Sequence, residues 1–176
     1  ADFNDTISEN ALFNYAALSF IPGIDPFNEA VTILNDYIRN NPNTERSKEA
    51  QEMVIHLLLN SSDYDNALKT LGQYPTLSPE LEKIQSQLTY SLGIQYYNEG
   101  QWNEAIKHFL SSVNNKNAED ITRAESTFWL ADAYHQKKDL NNAYNTYTRF
   151  VKLPSANTSE LYPLAYYNLG YILMNN

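Results

Sequence analysis

The 176-residue chain contains no cysteine, which excludes a disulfide framework, thiol catalysis and a thiolate-bound metal. That absence leaves the compartment open, because cytosolic and envelope proteins can both do without cysteine. Glycine is scarce as well, with 5 residues in all, and none sits in a loop of the kind that cradles phosphate. Basic residues are outnumbered: 12 Lys and Arg stand against 21 Asp and Glu, a formal net charge of -9. So acidic a chain is a poor electrostatic match for nucleic acid or an anionic membrane. Long hydrophobic runs are missing too. The longest, residues Met53 to Leu59, is broken by His56 and falls far short of the roughly 20 apolar residues of a membrane span.

The residues of common catalytic sites are equally thin. His56, His108 and His135 are the only histidines, and no two of them show metal-ligand spacing. No Gly-x-Ser-x-Gly elbow occurs, so a strained serine nucleophile is not expected. Neighbouring carboxylates occur at Asp63/Asp65, Glu80/Glu82 and Glu119/Asp120. All lie at predicted helix starts, where the backbone dipole favours negative charge. The expectation is a protein without catalytic residues, metal or cofactor.

What the chain does have is apolar and aromatic material: 43% hydrophobic residues and 14 tyrosines, enough to bury a core. It also has a repeat. An aromatic residue or Leu, then Asn or Asp, then Glu or Asn, then Ala recurs as Phe27–Ala30, Tyr64–Ala67, Trp102–Ala105 and Leu140–Ala143. Ala30, Ala67, Ala105 and Ala143 are 37, 38 and 38 residues apart. Between these copies lies a second phrase: Leu92-Gly93 with Tyr96, Leu130-Ala131 with Tyr134, and Leu169-Gly170 with Leu173. A small residue lets two helices approach, and the large one three residues later shares its face. Fixed periods of this length mark stacked supersecondary units. No segment alternates with period two, so the chain is predicted to be all-α.

Helix pairs are predicted near 6–21/26–40, 43–60/64–73, 79–98/102–115 and 118–137/140–152, with a last helix at 159–174. Asp25-Pro26 and Ser78-Pro79 read as N-caps followed by proline at the first helical position. Asp63 and Asp139 are further candidate caps, and Asn41-Pro42 and Leu153-Pro154 are stops.

These phrases resemble the tetratricopeptide repeat (TPR) family. The third unit matches best, with Leu92, Gly93, Tyr96, Gly100, Trp102, Ala105 and Phe109 at the motif's positions. The second is degenerate, Ile55 standing where the small residue belongs. The resemblance implies a right-handed superhelical array of antiparallel helix pairs, about four and a half repeats. The units run near 6–42, 43–77, 78–117 and 118–156, followed by a half repeat at 157–176. Ala30, Ala67, Gly93, Tyr96, Ala105, Ala131, Tyr134, Ala143 and Gly170 form the expected packing motif. The last helix lacks a partner in this sequence, so Leu161, Leu164, Ala165, Leu169 and Ile172 are expected to leave apolar surface. Either further chain or another molecule would cover it, and self-association there is one option.

The resemblance also implies function: a non-catalytic scaffold that binds a protein or peptide on its concave face. Projecting the inner positions points to Tyr90, Tyr97, Asn98, Phe128, Asp132, His135, Tyr167 and Tyr171 as the partner-binding set. No Lys or Arg falls among the projected positions, so a clamp for a terminal carboxylate is not expected. The partner is expected to be apolar or basic rather than acidic. The phrases at 126–134 and 166–171 look like bacterial cell-envelope members, those of the Tol–Pal system and outer-membrane assembly. A periplasmic or envelope location follows from that likeness, with the cytoplasm left open. Two alternatives stand: a glycan-binding surface protein of the outer-membrane nutrient-uptake type, and a helical accessory domain of a larger enzyme or regulator.

Overall fold

The computed structural model describes residues 27–42, 44–60, 63–72 and 76–174, together with Ala11 and Asn14. The predicted helix at 6–21 and the Asp25-Pro26 cap lie outside the described residues. Eight α-helices and one 3-10 turn are described, and no strand occurs among these residues. In chain order the helices are α1 (Phe27–Asn40), α2 (Glu45–Asn60), α3 (Tyr64–Leu71), α4 (Pro79–Asn98), α5 (Trp102–Asn114), α6 (Asp120–Gln136), α7 (Leu140–Phe150) and α8 (Tyr162–Met174). The chain divides into two compact units, residues 1–73 and 74–176.

In the first unit α1 packs on α2. Helix α1 buries Ala30, Val31 and Leu34, and α2 buries Ala50, Val54, Leu57 and Leu58. These positions recur at three- and four-residue spacing, the stripe of an amphipathic helix. Ala67 and Leu71 of α3 are fully buried. Asp63 caps α3, its carboxylate accepting the Asn66 amide at 3.1 Å.

The second unit is a stack in which each helix packs on the next, from α4 through α8, and α4 also touches α6. Ser78 caps α4 by accepting the Leu81 amide at 3.3 Å, with Pro79 in the first turn. Asp139 caps α7 through the Asn142 amide at 3.2 Å. The last helix begins at Tyr162, later than the predicted 159. A 3-10 turn at Ala156–Thr158 intervenes, because Pro154 has stopped α7 and the buried Ala156 anchors the connection in the core.

The reversals inside the two pairs are copies of one device. After α4 the Gln101 amide returns to the Tyr96 carbonyl at 2.9 Å, and after α6 the Asp139 amide returns to Tyr134 at 3.0 Å. Such a cap needs one left-handed residue. Gly100 supplies it at φ 73, whereas Lys138 supplies it at φ 61 against the steric preference of its Cβ.

The core is a set of rings set against small residues. A Cβ added at Gly93 would stand 2.6 Å from the Phe109 ring of α5, so only glycine fits there without displacement. One period on, Ala131 and Tyr147 are both fully buried in a cluster with Phe128, Phe150, Ala143 and Ala165. Ala105 and Ala143, four residues before Phe109 and Tyr147, are buried as well. Gly170 departs from the expected packing motif: it is exposed, and a Cβ there would meet nothing within 4 Å. The apolar surface left on α8 also differs from expectation. Ala165, Leu169 and Ile172 are buried in the cluster with α7, while Leu164, Tyr166, Tyr167, Tyr171, Leu173 and Met174 are exposed.

Where the helices meet away from the rings, three hydroxyls close the gap. Ser112 Oγ lies 3.0 Å from Ser86 Oγ and accepts from Ser126 Oγ at 2.9 Å. All three are buried, and their mutual bonding removes the cost of unpaired polar groups.

Two stability changes test this packing. Lys138→Gly should raise stability by about 1 kcal/mol by removing left-handed strain, read from urea melts. Gly93→Ala should cost about 1–3 kcal/mol through overpacking, whereas Gly170→Ala should be neutral or stabilise by up to about 1 kcal/mol.

Candidate functional site

Helices α4, α6 and α8 carry the residues projected onto the inner face, and the structure sorts them into three groups. Tyr90 and Tyr97 are half-buried on α4. The Tyr90 ring lies 6.3 Å from Phe109. Burial, followed by the Glu125 carboxylate beside it, pushes its hydroxyl well above the ordinary phenol range. Tyr97 meets the edges of Trp102 at 4.9 Å and Trp129 at 5.1 Å. Asn98 is exposed at the end of α4.

Phe128 and Asp132 belong to a second group, and here the structure corrects the sequence reading. Phe128 is fully buried, with Phe150 at 5.5 Å, Tyr147 at 5.6 Å and Trp129 at 5.4 Å. It is a core residue and offers no contact to a partner. The reason is periodicity: Phe128 lies next to the stripe that faces α7, and a ring of that size is drawn into the cluster around Ala131.

Asp132 is buried too, and its carboxylate is occupied from four directions. Tyr147 donates to Oδ1 at 2.6 Å, and the Tyr97 hydroxyl donates to Oδ2. Gln136 Nε2 donates at 3.3 Å and Asn168 Nδ2 at 3.4 Å. Asn168 Nδ2 also reaches the Tyr147 hydroxyl at 2.7 Å. Donors from α4, α6, α7 and α8 thus converge on one acceptor. Burial, and then the Asp132 carboxylate, raise both the Tyr97 and the Tyr147 hydroxyl above the phenol range.

The third group is open. His135 is half-buried with its ring 5.8 Å from Tyr171. Tyr171 and Tyr167 are 50% and 69% exposed, so α8 presents the most accessible rings of the set. The Tyr97–Asp132 contact and the His135–Tyr171 contact are the same position pair in successive repeats, once as a hydrogen bond and once as a ring contact. No lysine or arginine is among the residues projected onto this face. Arg123 of α6 is turned to the α5–α6 connection, where its guanidinium donates to the carbonyls of Asn115, Lys116 and Ala118 at 3.1–3.2 Å.

Residues 26–151 match the SusR N-terminal TPR domain. The chain belongs to that tetratricopeptide family. No curated protein matches it. The matched segment spans α1 to α7, and α8 follows it. In TPR terms α4/α5 and α6/α7 are two complete A/B pairs, and α8 repeats the A helix. The half-buried Tyr96, stacked 5.3 Å from His108, and the half-buried Tyr134 are the large residues of the A-helix phrase.

Sequence reasoning missed Asn168 as a partner of Asp132, and it missed Trp129 and Gln136. Tyr147 stands one repeat after Phe109, at the aromatic position of the B helix. A signal existed for it: a phenol placed in a core by the repeat needs an acceptor, and Asp132 was the one acid on the facing A helix away from its first turn and a half. Among the described residues no helix is long and apolar enough to cross a membrane.

The network yields a pH prediction with a definite sign. Folding holds Tyr97 and Tyr147 protonated above the ordinary value of 10.0. Their contribution is therefore complete below that pH and is lost as pH rises above it, where the unfolded phenols ionise first. Urea midpoints should fall from about pH 10 upward, and Tyr147→Phe should flatten part of that fall. The same substitution should cost about 1–3 kcal/mol at neutral pH by leaving buried donors and acceptors short of a partner; an unchanged midpoint would show the network carries no stability.

Proposed function

We propose that this TPR domain is a non-catalytic scaffold that holds an extended or helical segment of a partner protein on the inner face of its A helices. The observation that carries this reading is the run of half-buried and exposed rings Tyr90, Tyr97, His135, Tyr167 and Tyr171, with Glu125 beside Tyr90 and no lysine or arginine among them. Aromatic rings give wide contact area at low conformational cost. Glu125 and the net charge of -9 favour a partner that is apolar or basic. Phe128 and Asp132 support the face from below without touching the ligand.

The 38-residue period runs through the sequence of both compact units, so we read the whole chain as one array with boundaries near 42, 77, 117 and 156. A second reading, an accessory domain of a larger enzyme or regulator, draws support from the description of the matched family as an N-terminal domain. The two readings agree on what the domain does itself.

A peptide library sorted by charge and hydropathy tests the scaffold. Apolar and basic peptides should be retained over acidic ones, and retention should fall at least about tenfold in Tyr90→Ala/Tyr171→Ala, the loss expected when ring contacts are truncated. Far-ultraviolet circular dichroism should stay largely unchanged, since Tyr90 is only half-buried and Tyr171 is exposed. Equal retention by the variant, or a preference for acidic peptides, would place the binding surface elsewhere.

A further inference from the structure

Helix α6 carries one inner-face carboxylate that the fold leaves without a counter-charge. Glu125 is half-buried, and among the described residues no lysine or arginine forms an ion pair with it. Arg123, two residues earlier, is committed elsewhere. It pairs with Asp120 at 3.1 Å and donates to three carbonyls of the α5–α6 connection. Helix α8 contains no charged residue. Asp132, two turns further along α6, is by contrast filled by four donors. A partly desolvated anion loses hydration that a cation arriving from outside would offset.

Aromatic rings frame this acid. The Tyr90 hydroxyl of α4 donates to the Glu125 carboxylate and accepts from the Trp129 indole N–H. Glu125 and Trp129 are four residues apart on α6 and therefore share a face. Trp129 is half-buried, with the Tyr97 ring at 5.1 Å and the Phe128 ring at 5.4 Å, both edge-on. These neighbours hold the indole in place, so little ordering remains to be done when a ligand arrives. Tyr90 takes one of the roughly four lone-pair sites of a carboxylate, and the others stay open to a second donor.

An acid beside fixed rings suits an organic cation, with charge supplied by the carboxylate and quadrupole attraction by the rings. Of the two basic side chains, the guanidinium fits better. It is planar, forks onto a carboxylate, stacks on aromatic faces and sheds water more readily than an ammonium.

We propose that Glu125, Tyr90 and Trp129 form a specificity site for one arginine side chain of the partner segment, its guanidinium forked onto Glu125 and stacked against the Trp129 indole. The site rests on the inner-face scaffold reading and deepens it, because it assigns the basic character of the partner to one side chain at one place.

The test needs no partner protein. Blocked arginine (the N-acetyl, N-methylamide) is titrated into the isotope-labelled 176-residue protein, and the two indole N–H signals are followed by NMR, assigned with Trp102→Phe. The Trp129 signal should shift saturably. The citrulline analogue, equal in shape but uncharged, should bind at least about fivefold more weakly, and so should the lysine analogue. Glu125→Gln keeps an acceptor for Tyr90 and removes only the charge. Its melting temperature should match the parent's, while its affinity for blocked arginine falls at least about fivefold.

No shift at Trp129, or equal affinity for the citrulline analogue or in Glu125→Gln, would overturn the proposal. A lysine analogue that binds as tightly as arginine would overturn the choice of arginine. The peptide library separates this failure from that of the scaffold itself. If peptides are retained but arginine enrichment survives Glu125→Gln, the arginine site alone is wrong. If no class of peptide is retained, the inner-face scaffold fails and the arginine site fails with it.

Discussion

The packing of this domain depends on one steric relation, a ring seated against a residue with little or no side chain. Phe109 against Gly93 is its tightest instance, since the helix backbone itself forms the wall that the ring touches. The relation explains why the B helices place alanine at Ala105 and Ala143. A larger residue one turn before the ring would hold the two helices apart and leave a void beside the ring. Voids and overpacking are both costly in an interior packed as densely as a crystal. The 38-residue period of the sequence is the chain-length expression of that contact: two helices and two turns bring the next small residue to the same place.

Ring-in-notch packing is non-directional, and it does not by itself fix how far one helix slides along another. The polar contacts do that. Asp132 gathers donors from α4, α6, α7 and α8, and the geometry of a hydrogen bond tolerates only a few tenths of an ångström of slip. The serine trio does the same at the other end of the helices, linking α4, α5 and α6. Buried polar groups are costly unless every partner is present. Among the described residues no buried side-chain nitrogen or oxygen lacks one. The packing beneath the exposed rings is thus held by directional contacts as well as by burial.

The sequence already displayed most of the local order. The small–large spacing at Leu92-Gly93 and Tyr96 announced helix pairs, Ser78-Pro79, Asp63 and Asp139 announced caps, and those residues do cap α4, α3 and α7. These signals are legible because each is a local rule, satisfied by residues within one turn of each other. Phe128 shows where that reading stops. Its position in the repeat is the one that projects Tyr90 and Tyr167 toward the inner face, yet Phe128 turns into the core. The neighbours that draw it in, Phe150 and Tyr147, are 22 and 19 residues away in the sequence. No periodic rule weighs one ring against another at that distance.

The sequence by itself determined that the chain is all-α and that its helices come in pairs. All of this follows from periodicity and capping, which act over a few residues. Only the tertiary structure decided which of the tyrosines work as donors and which rings are spent on the core. Gly93 and Gly170 are the same residue in the same phrase. One is closed by Phe109 and the other faces open space, because a glycine's surroundings are set by whatever helix lies across from it.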